Sequence, residues 1–149
     1  MLAVPPDHVT DTIETVAGEL DSSTVLVSPA VGMDGDEDGL HYRPPEAGSV
    51  TELAAATAPD EVSVVGAFHN LPADRLADLD ADLGIDTLVV GAGEPKETVL
   101  DLADEIEGLR GVDAGPLANA PEVEGVTPLL INVARYNDDM RDAGVRFDG

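Results

Sequence analysis

The sequence contains neither cysteine nor tryptophan. A chain without cysteine can form neither a disulfide bond nor a thiolate metal site, which agrees with a reducing compartment. It also has no run of about 18 apolar residues and no basic segment followed by a short apolar one, so neither a membrane span nor a secretory leader is predicted. These absences predict a soluble cytoplasmic protein with no membrane partner.

Basic residues are scarce as well. The chain has 7 Lys and Arg against 31 Asp and Glu, a formal net charge of −24, and Lys96 is its single lysine. Nucleic acid is therefore excluded as a partner, because neutralising phosphates requires a basic surface. The chain is nevertheless 43% hydrophobic, so charge-driven disorder is not expected. Scattered acids on a foldable chain predict an acidic cytosolic protein of a halophile, with an acidic docking surface for a basic partner as the alternative.

The 149 residues are enough for a domain that buries roughly 70% of its extended-chain surface. Short apolar runs alternate with segments of helical spacing, which is typical of an α/β fold with a mainly parallel sheet and a more helical C-terminal part. We divide the chain into a Rossmann-like part, residues 1–90, and a small C-terminal part, residues 91–149. The predicted strands are 2–4, 24–27, 61–67, 87–90, 112–114 and 145–147, and the predicted helices are 7–20, 49–58, 73–83, 95–109 and 119–136.

Three local features qualify this assignment. Ser49 and Glu52 form a capping-box pattern at the start of a helix. Pro128 is expected to kink or divide the last helix. The segment 30–45, rich in glycine and aspartate, is predicted to be a loop.

Two motifs match known sites only in part. Gly91 and Gly93 follow a strand, but Lys96 stands where a dinucleotide fingerprint has its third glycine, so a tight turn is the better interpretation. Asp34, Asp36 and Asp38 resemble the front of a calcium loop whose final glutamate is missing, which favours a solvated acidic loop over weak cation binding. The three histidines lack the spacing of a zinc site.

The remaining candidate site lies where three predicted strands end. Pro5 and Pro6 follow the first strand, 28–31 the second and 69–73 the third. The carboxyl ends of parallel strands are where α/β folds bind ligands, and these segments are mostly apolar with few hydrogen-bonding groups. Such a lining suits hydride transfer between two rings, with His69 bonding a ring carbonyl or amide. The alternative is that His69 only braces its loop.

At these residues the chain resembles the NADPH-dependent coenzyme F420 reductases of archaea and actinobacteria. The resemblance extends over nearly all of the chain and rests on several motifs in order. They are Val27-Ser28-Pro29, the segment 67–73 (AFHNLPA), Ile106–Arg110 (IEGLR), Asp113–Asn119 (DAGPLAN), Val126–Asn132 (VTPLLIN), Arg135-Tyr136-Asn137 and Gly144–Phe147 (GVRF).

The resemblance implies a Rossmann domain with a small C-terminal domain, usually dimeric, that moves a hydride between NADP and the deazaflavin coenzyme F420. It implies cofactor-binding positions in three groups. Those matching the NADP side are Val4, Pro5, Pro6 and Val31; those matching the stretch near the two reacting rings are His69, Leu71 and Ala73; and Ala143 matches a position facing the deazaflavin. No residue is assigned as an acid or base, and no metal is implied.

The chain departs from the family at its amino-terminal side. The family's Gly-rich turn and its Ser/Arg site for the 2′-phosphate have no counterpart here, so the resemblance covers only the last two-thirds of the family. Without a Gly-rich loop at a helix N-terminus, pyrophosphate lacks its anion site. We therefore expect a truncated reductase with weak NADP binding and low activity. The alternatives are a non-catalytic binding or assembly module that dimerises or pairs with another chain, and a misplaced start site.

Overall fold

A computed structural model describes residues 1–77 and 82–149. Its helices and strands alternate through most of these residues. In chain order they are α1 Val9–Val16, β1 Val25–Ser28, β2 Met33–Asp36, β3 Gly39–Tyr42, α2 Val50–Thr57, β4 Ser63–Gly66, α3 Ala73–Ala77, β5 Ile85–Val89, α4 Gly93–Asp104, β6 Leu109–Asp113 and α5 Ala120–Tyr136. Short 3-10 turns precede α1 and α5 and follow α1.

Parallel pairing dominates the central strands. β1 pairs with β4 from Val25↔Ser63 onward, and β5 pairs with β6 from Ile85↔Leu109 onward, both in parallel. The two pairs are joined where the backbones of Gly66 and Val90 exchange two hydrogen bonds of 2.9 Å. The predicted α/β class with a mainly parallel sheet is confirmed. The division between residues 90 and 91 stays a prediction.

Buried apolar side chains cover both faces of the strands. One cluster joins α1 and α2 to β1 and β4, and a second joins β4 and β5 to Val99 of α4. Val9, Ile13 and Val50 are fully buried in the first cluster. Burying such a side chain is worth roughly 1.5–3 kcal/mol, so the apolar spacing of the helices is what attaches them to the sheet.

The predicted strand 2–4 is wrong, since these residues form no strand. Only the Leu2 N–H reaches the sheet, donating to the Val27 carbonyl at 2.7 Å. Pro5 and Pro6 follow at once, and proline has no N–H with which to continue a ladder.

The predicted loop 30–45 is also wrong, because β2 and β3 form an antiparallel hairpin there. The pairing is supported from outside the hairpin. Asn132 of α5 accepts from the Leu40 N–H at 2.8 Å and donates to the Leu40 carbonyl at 2.7 Å. All of β2 is exposed, so no alternation of apolar residues marked it in the sequence.

The helix predictions fared better. The capping box is confirmed: Ser49 Oγ accepts from the Glu52 N–H and donates to the Glu52 carboxylate. Pro128 does not divide the last helix, since α5 runs unbroken past it and packs against β3. The helix predicted at 95–109 ends at Asp104, where β6 soon begins. Part of the predicted helix 73–83 lies outside the described residues.

The predicted strand 145–147 is an extended tail beside β5 rather than a strand. The Val145 carbonyl accepts from the Asp86 N–H at 2.8 Å, but the Phe147 N–H donates to the Asp86 carboxylate at 2.7 Å. A side chain replaces the next backbone acceptor, which stops the ladder. The same carboxylate binds Arg110 through two hydrogen bonds, and these bonds hold its pKa below the usual range.

No helix in the described ranges is long and apolar enough to cross a membrane.

Candidate functional site

A cavity of about 350 Å³ lies between the loop after β4, helix α5 and the C-terminal tail. We call it the His69 pocket. It is lined by His69, Asn70, Leu71, Pro72, Ala73, Thr127, Leu130, Ile131, Ala134, Asp142 and Ala143. Ligand pockets of 300 Å³ or more with apolar walls and a few polar groups are typical of small-molecule sites. Four of the residues singled out in the sequence, His69, Leu71, Ala73 and Ala143, share this one cavity.

The loop that carries His69 is fixed to the sheet by side chains. Phe68 has a left-handed backbone, with φ of 66°, and its N–H donates to Thr87 Oγ1 at 3.1 Å. Asn70 donates to the Asp86 carbonyl at 2.7 Å and accepts from the Thr87 hydroxyl at 3.3 Å. A left-handed non-glycine residue costs roughly 1–2 kcal/mol, so its neighbours must hold it there. The result is a rigid turn that aims the backbone of residues 69–73 at α5.

The side chain of His69 is fully buried. Its Nε2 lies 3.3 Å from Thr51 Oγ1 and 4.0 Å from Glu124 Oε1. Its backbone carbonyl accepts from the Thr127 hydroxyl at 2.8 Å, while its Nδ1 has no hydrogen-bond partner among the described residues. Burial lowers the pKa of His69 to about 4, so the ring is neutral at physiological pH.

Behind His69 lies a buried carboxylate that the sequence analysis did not single out. Glu124 of α5 is fully buried and accepts four hydrogen bonds: from the backbone N–H groups of Val50 and Thr51 at 3.0 and 2.8 Å, and from the hydroxyls of Thr51 and Tyr42 at 2.9 and 3.0 Å. Glu124 therefore occupies the N-terminus of α2, where unpaired N–H groups favour an anion.

Two opposing effects act on the proton equilibrium of this carboxyl. Burial raises the pKa of Glu124, and the four hydrogen bonds oppose that rise. Burial, together with the nearby Glu124 carboxylate, raises the pKa of Tyr42 above its ordinary value. A signal for Glu124 existed in the sequence, since it is the one charged residue in the helical segment Val123–Ile131. Its partner Thr51 carried no signal beyond its position after the capping serine.

The remaining predicted residues lie elsewhere. Val31 and Pro6 line a separate cavity of about 560 Å³ that also contains Arg43. Val4 and Pro5 line an open depression of about 390 Å³ with His8 on its wall. The four positions matched to the NADP side thus do not join the His69 pocket. Ser28, at the end of β1, is fully buried, and its hydroxyl has no partner in the part of the chain that the structure describes.

The partial calcium-loop motif and the Gly91–Gly93 motif lie outside the His69 pocket. Asp34 and Asp36 are on the exposed strand β2, and no cluster of three metal-ligating side chains is found within residues 1–77 and 82–149. Gly93 starts α4, where Lys96 binds the Asp113 carboxylate at 2.8–2.9 Å.

Three curated proteins named F420-dependent NADP reductase are similar to this chain. The Methanocaldococcus jannaschii protein is 35% identical over 136 residues, which are 89% of this chain and 60% of that protein. The Methanothermobacter marburgensis protein is 35% identical over 67% of this chain and 45% of its own length. The Methanothermobacter thermautotrophicus protein is 30% identical over 99% of this chain and 64% of its own length. The chain thus spans about half to two-thirds of these relatives.

Solved structures share the fold. A candidate F420-dependent NADP reductase from an Arthrobacter species superposes with a TM-score of 0.81 at 18% identity, covering 99% of this chain and 68% of that one. A hypothetical protein from Sinorhizobium meliloti gives a TM-score of 0.63 at 26% identity over 80% of this chain and 58% of its own. No family model matches the sequence. This chain is therefore similar in sequence to the F420-dependent NADP reductases, and it shares the fold of the two solved structures.

Proposed function

We propose that this chain takes part in hydride transfer between NADP(H) and coenzyme F420. The observation that carries the proposal is the His69 pocket, which collects in one cavity the four positions that the resemblance places at the reacting rings. The names of the relatives support the choice of cofactors. We also place the protein in the cytoplasm.

The pocket suits a flat, mostly apolar ring. Leu71, Pro72, Leu130 and Ala143 supply apolar walls. When bound, the two cofactors themselves supply the carbon centres between which the hydride moves. The protein's task is to hold the rings, exclude water and keep His69 neutral, because direct hydride transfer needs no acid or base from the chain.

We assign Ala143 to the deazaflavin side, and His69, Leu71 and Ala73 to the stretch beside both rings. Val4, Pro5, Pro6 and Val31 remain our candidates for the NADP side, around the two depressions near the start of α1. The sequence contains no G-x-G-x-x-G turn, so we expect these 149 residues by themselves to bind NADP weakly and to turn over slowly.

We also propose that the protein is a homodimer. Leu129 of α5 is 59% exposed, and Tyr136, seven residues later and therefore on the same face of the helix, is 64% exposed, so this face offers an exposed apolar surface. A second copy of the chain would cover it.

The test is to mix the protein with NADPH and oxidised F420 and to follow the absorbance of the deazaflavin. We expect slow reduction that is faster in about 2 M KCl than in about 0.1 M KCl, because a charge of −24 repels itself unless it is screened. Replacing NADPH with NADH is the matched control. Absence of reduction together with absence of F420 binding would contradict the proposal, and turnover as fast as that of the longer relatives would contradict the expected impairment.

A further inference from the structure

Three buried side chains form a continuous hydrogen-bond relay behind the His69 pocket. Glu124 Oε1 lies 2.9 Å from Thr51 Oγ1, and Thr51 Oγ1 lies 3.3 Å from His69 Nε2. The three side chains come from α5, α2 and the loop after β4, and none is accessible to solvent. We call this set the Glu124–Thr51–His69 relay. A relay with no solvent access must satisfy its donors and acceptors internally.

Counting hydrogens along the relay determines the tautomer of His69. An ionised carboxylate only accepts, and Glu124 faces four donors, one of them the Thr51 hydroxyl. Thr51 has a single hydroxyl hydrogen, so once that hydrogen points to Glu124, only lone pairs face His69. The His69 Nε2 must then carry the ring hydrogen and donate it to Thr51.

The opposite tautomer would be penalised twice. It would take the Thr51 hydrogen away from the buried carboxylate, and it would place the lone pair of His69 Nε2 4.0 Å from Glu124 Oε1. A neutral imidazole has one N–H. With that hydrogen on Nε2, Nδ1 presents a bare lone pair, and Nδ1 is the buried atom that has no partner in the described part of the chain.

We propose that the Glu124–Thr51–His69 relay fixes the tautomer of His69, with the ring hydrogen on Nε2 and a bare lone pair on the buried Nδ1. Thr51 and Glu124 are then positioning residues that act on the His69 ring.

The tautomer of His69 can be tested without a ligand. In the ¹⁵N-labelled full chain, long-range ¹H–¹⁵N spectra separate the two ring nitrogens of each histidine, and His69 is identified by its loss in His69→Gln. We expect one pure tautomer with the hydrogen on Nε2. A hydrogen on Nδ1, or a mixture of tautomers, overturns the proposal whatever the protein catalyses.

Variants separate the relay from general packing. Thr51→Val removes the hydroxyl and should turn the pure tautomer into a mixture, whereas Thr51→Ser should restore it. Thr127→Val is the matched control, because it removes a partly buried hydroxyl that donates to the backbone carbonyl of His69 rather than to its ring. We expect Thr127→Val to leave the tautomer unchanged. If Thr51→Val does not fold, the wild-type spectrum and Thr51→Ser still decide the matter.

Discussion

Burial rather than a charged partner controls the protonation of His69. A histidine on the surface would be partly protonated near neutral pH, whereas burial lowers the pKa of His69 to about 4. Under the proposed function, a neutral ring keeps a positive charge away from the hydride donor. The same burial makes His69 a cost to stability whenever the solution becomes acidic.

The sign of that cost follows from linkage. Because the folded pKa lies below the unfolded value near 6.5, the unfolded chain binds the proton first, so stability is present above pH 6.5 and is lost as the pH falls toward 4. We predict that the wild type loses roughly 2 kcal/mol more than His69→Gln between about pH 7.5 and pH 5. Urea unfolding at both pH values measures this.

Comparing the wild type with His69→Gln cancels the pH-dependent stability contributions of the other titratable groups. Burial raises the pKa of Glu124, so this carboxyl adds to the stability of the fold as the pH falls. It does so in the wild type and in His69→Gln alike. His41→Gln, at a histidine with a partly exposed side chain, is the control and should show the wild-type loss. An equal loss in His69→Gln and the wild type would contradict a buried neutral His69.

At the scale of elements, α5 connects parts of the molecule that are distant in sequence. Glu124 caps α2, Thr127 holds the carbonyl of His69, and Asn132 binds the β2–β3 hairpin. One helix thus positions both the pocket and the hairpin. This explains why Pro128 is tolerated, since tertiary contacts on α5 offset the hydrogen bond that proline removes.

We predict that Asn132→Ala destabilises the protein by about 1–2 kcal/mol, because two hydrogen bonds to the Leu40 backbone are lost. Amide exchange at Leu40 should accelerate, while exchange in β4 follows only the global change. Asn137→Ala is the control, since the Asn137 side chain makes one exposed contact within its own helix end. Unchanged exchange at Leu40 would show that the hairpin does not depend on Asn132.

At the scale of the whole molecule, charge and apolar surface compete. The net charge of −24 opposes association in dilute salt, whereas the exposed apolar residues of α5 favour it. The Debye length falls from about 10 Å at 0.1 M to about 3 Å at 1 M salt, so the balance shifts toward association as salt rises.

We predict a dimer in about 2 M KCl that Leu129→Asp converts to monomer, as measured by light scattering. Leu102→Asp is matched to it, because Leu102 is 49% exposed but lies on α4. A wild type that is monomeric at every salt concentration would contradict the proposed dimer. Dissociation by Leu102→Asp but not by Leu129→Asp would place the interface on α4 instead of α5.

Local patterns in the sequence were sufficient for the parts of the molecule that local physics controls. The apolar runs of β1, β4 and β5 and the Ser49–Glu52 capping box are confirmed by the structure, and the ordered motifs correctly predicted the kinship with F420-dependent NADP reductases. Leu71, Ala73 and Ala143 came from that resemblance, and the structure brings them together with His69.

Tertiary structure alone decided the rest. The β2–β3 hairpin has no apolar alternation of its own and depends on Asn132, 92 residues away from Leu40. Glu124 stands 73 residues from Thr51, so no spacing rule could pair them. The orientation of His69 depends on which atoms Glu124 and Thr51 present to it after folding. The sequence by itself determined which segments are buried and which family they resemble, whereas the sharing of hydrogens among buried groups was decided only when α2, α5 and the loop after β4 met in space.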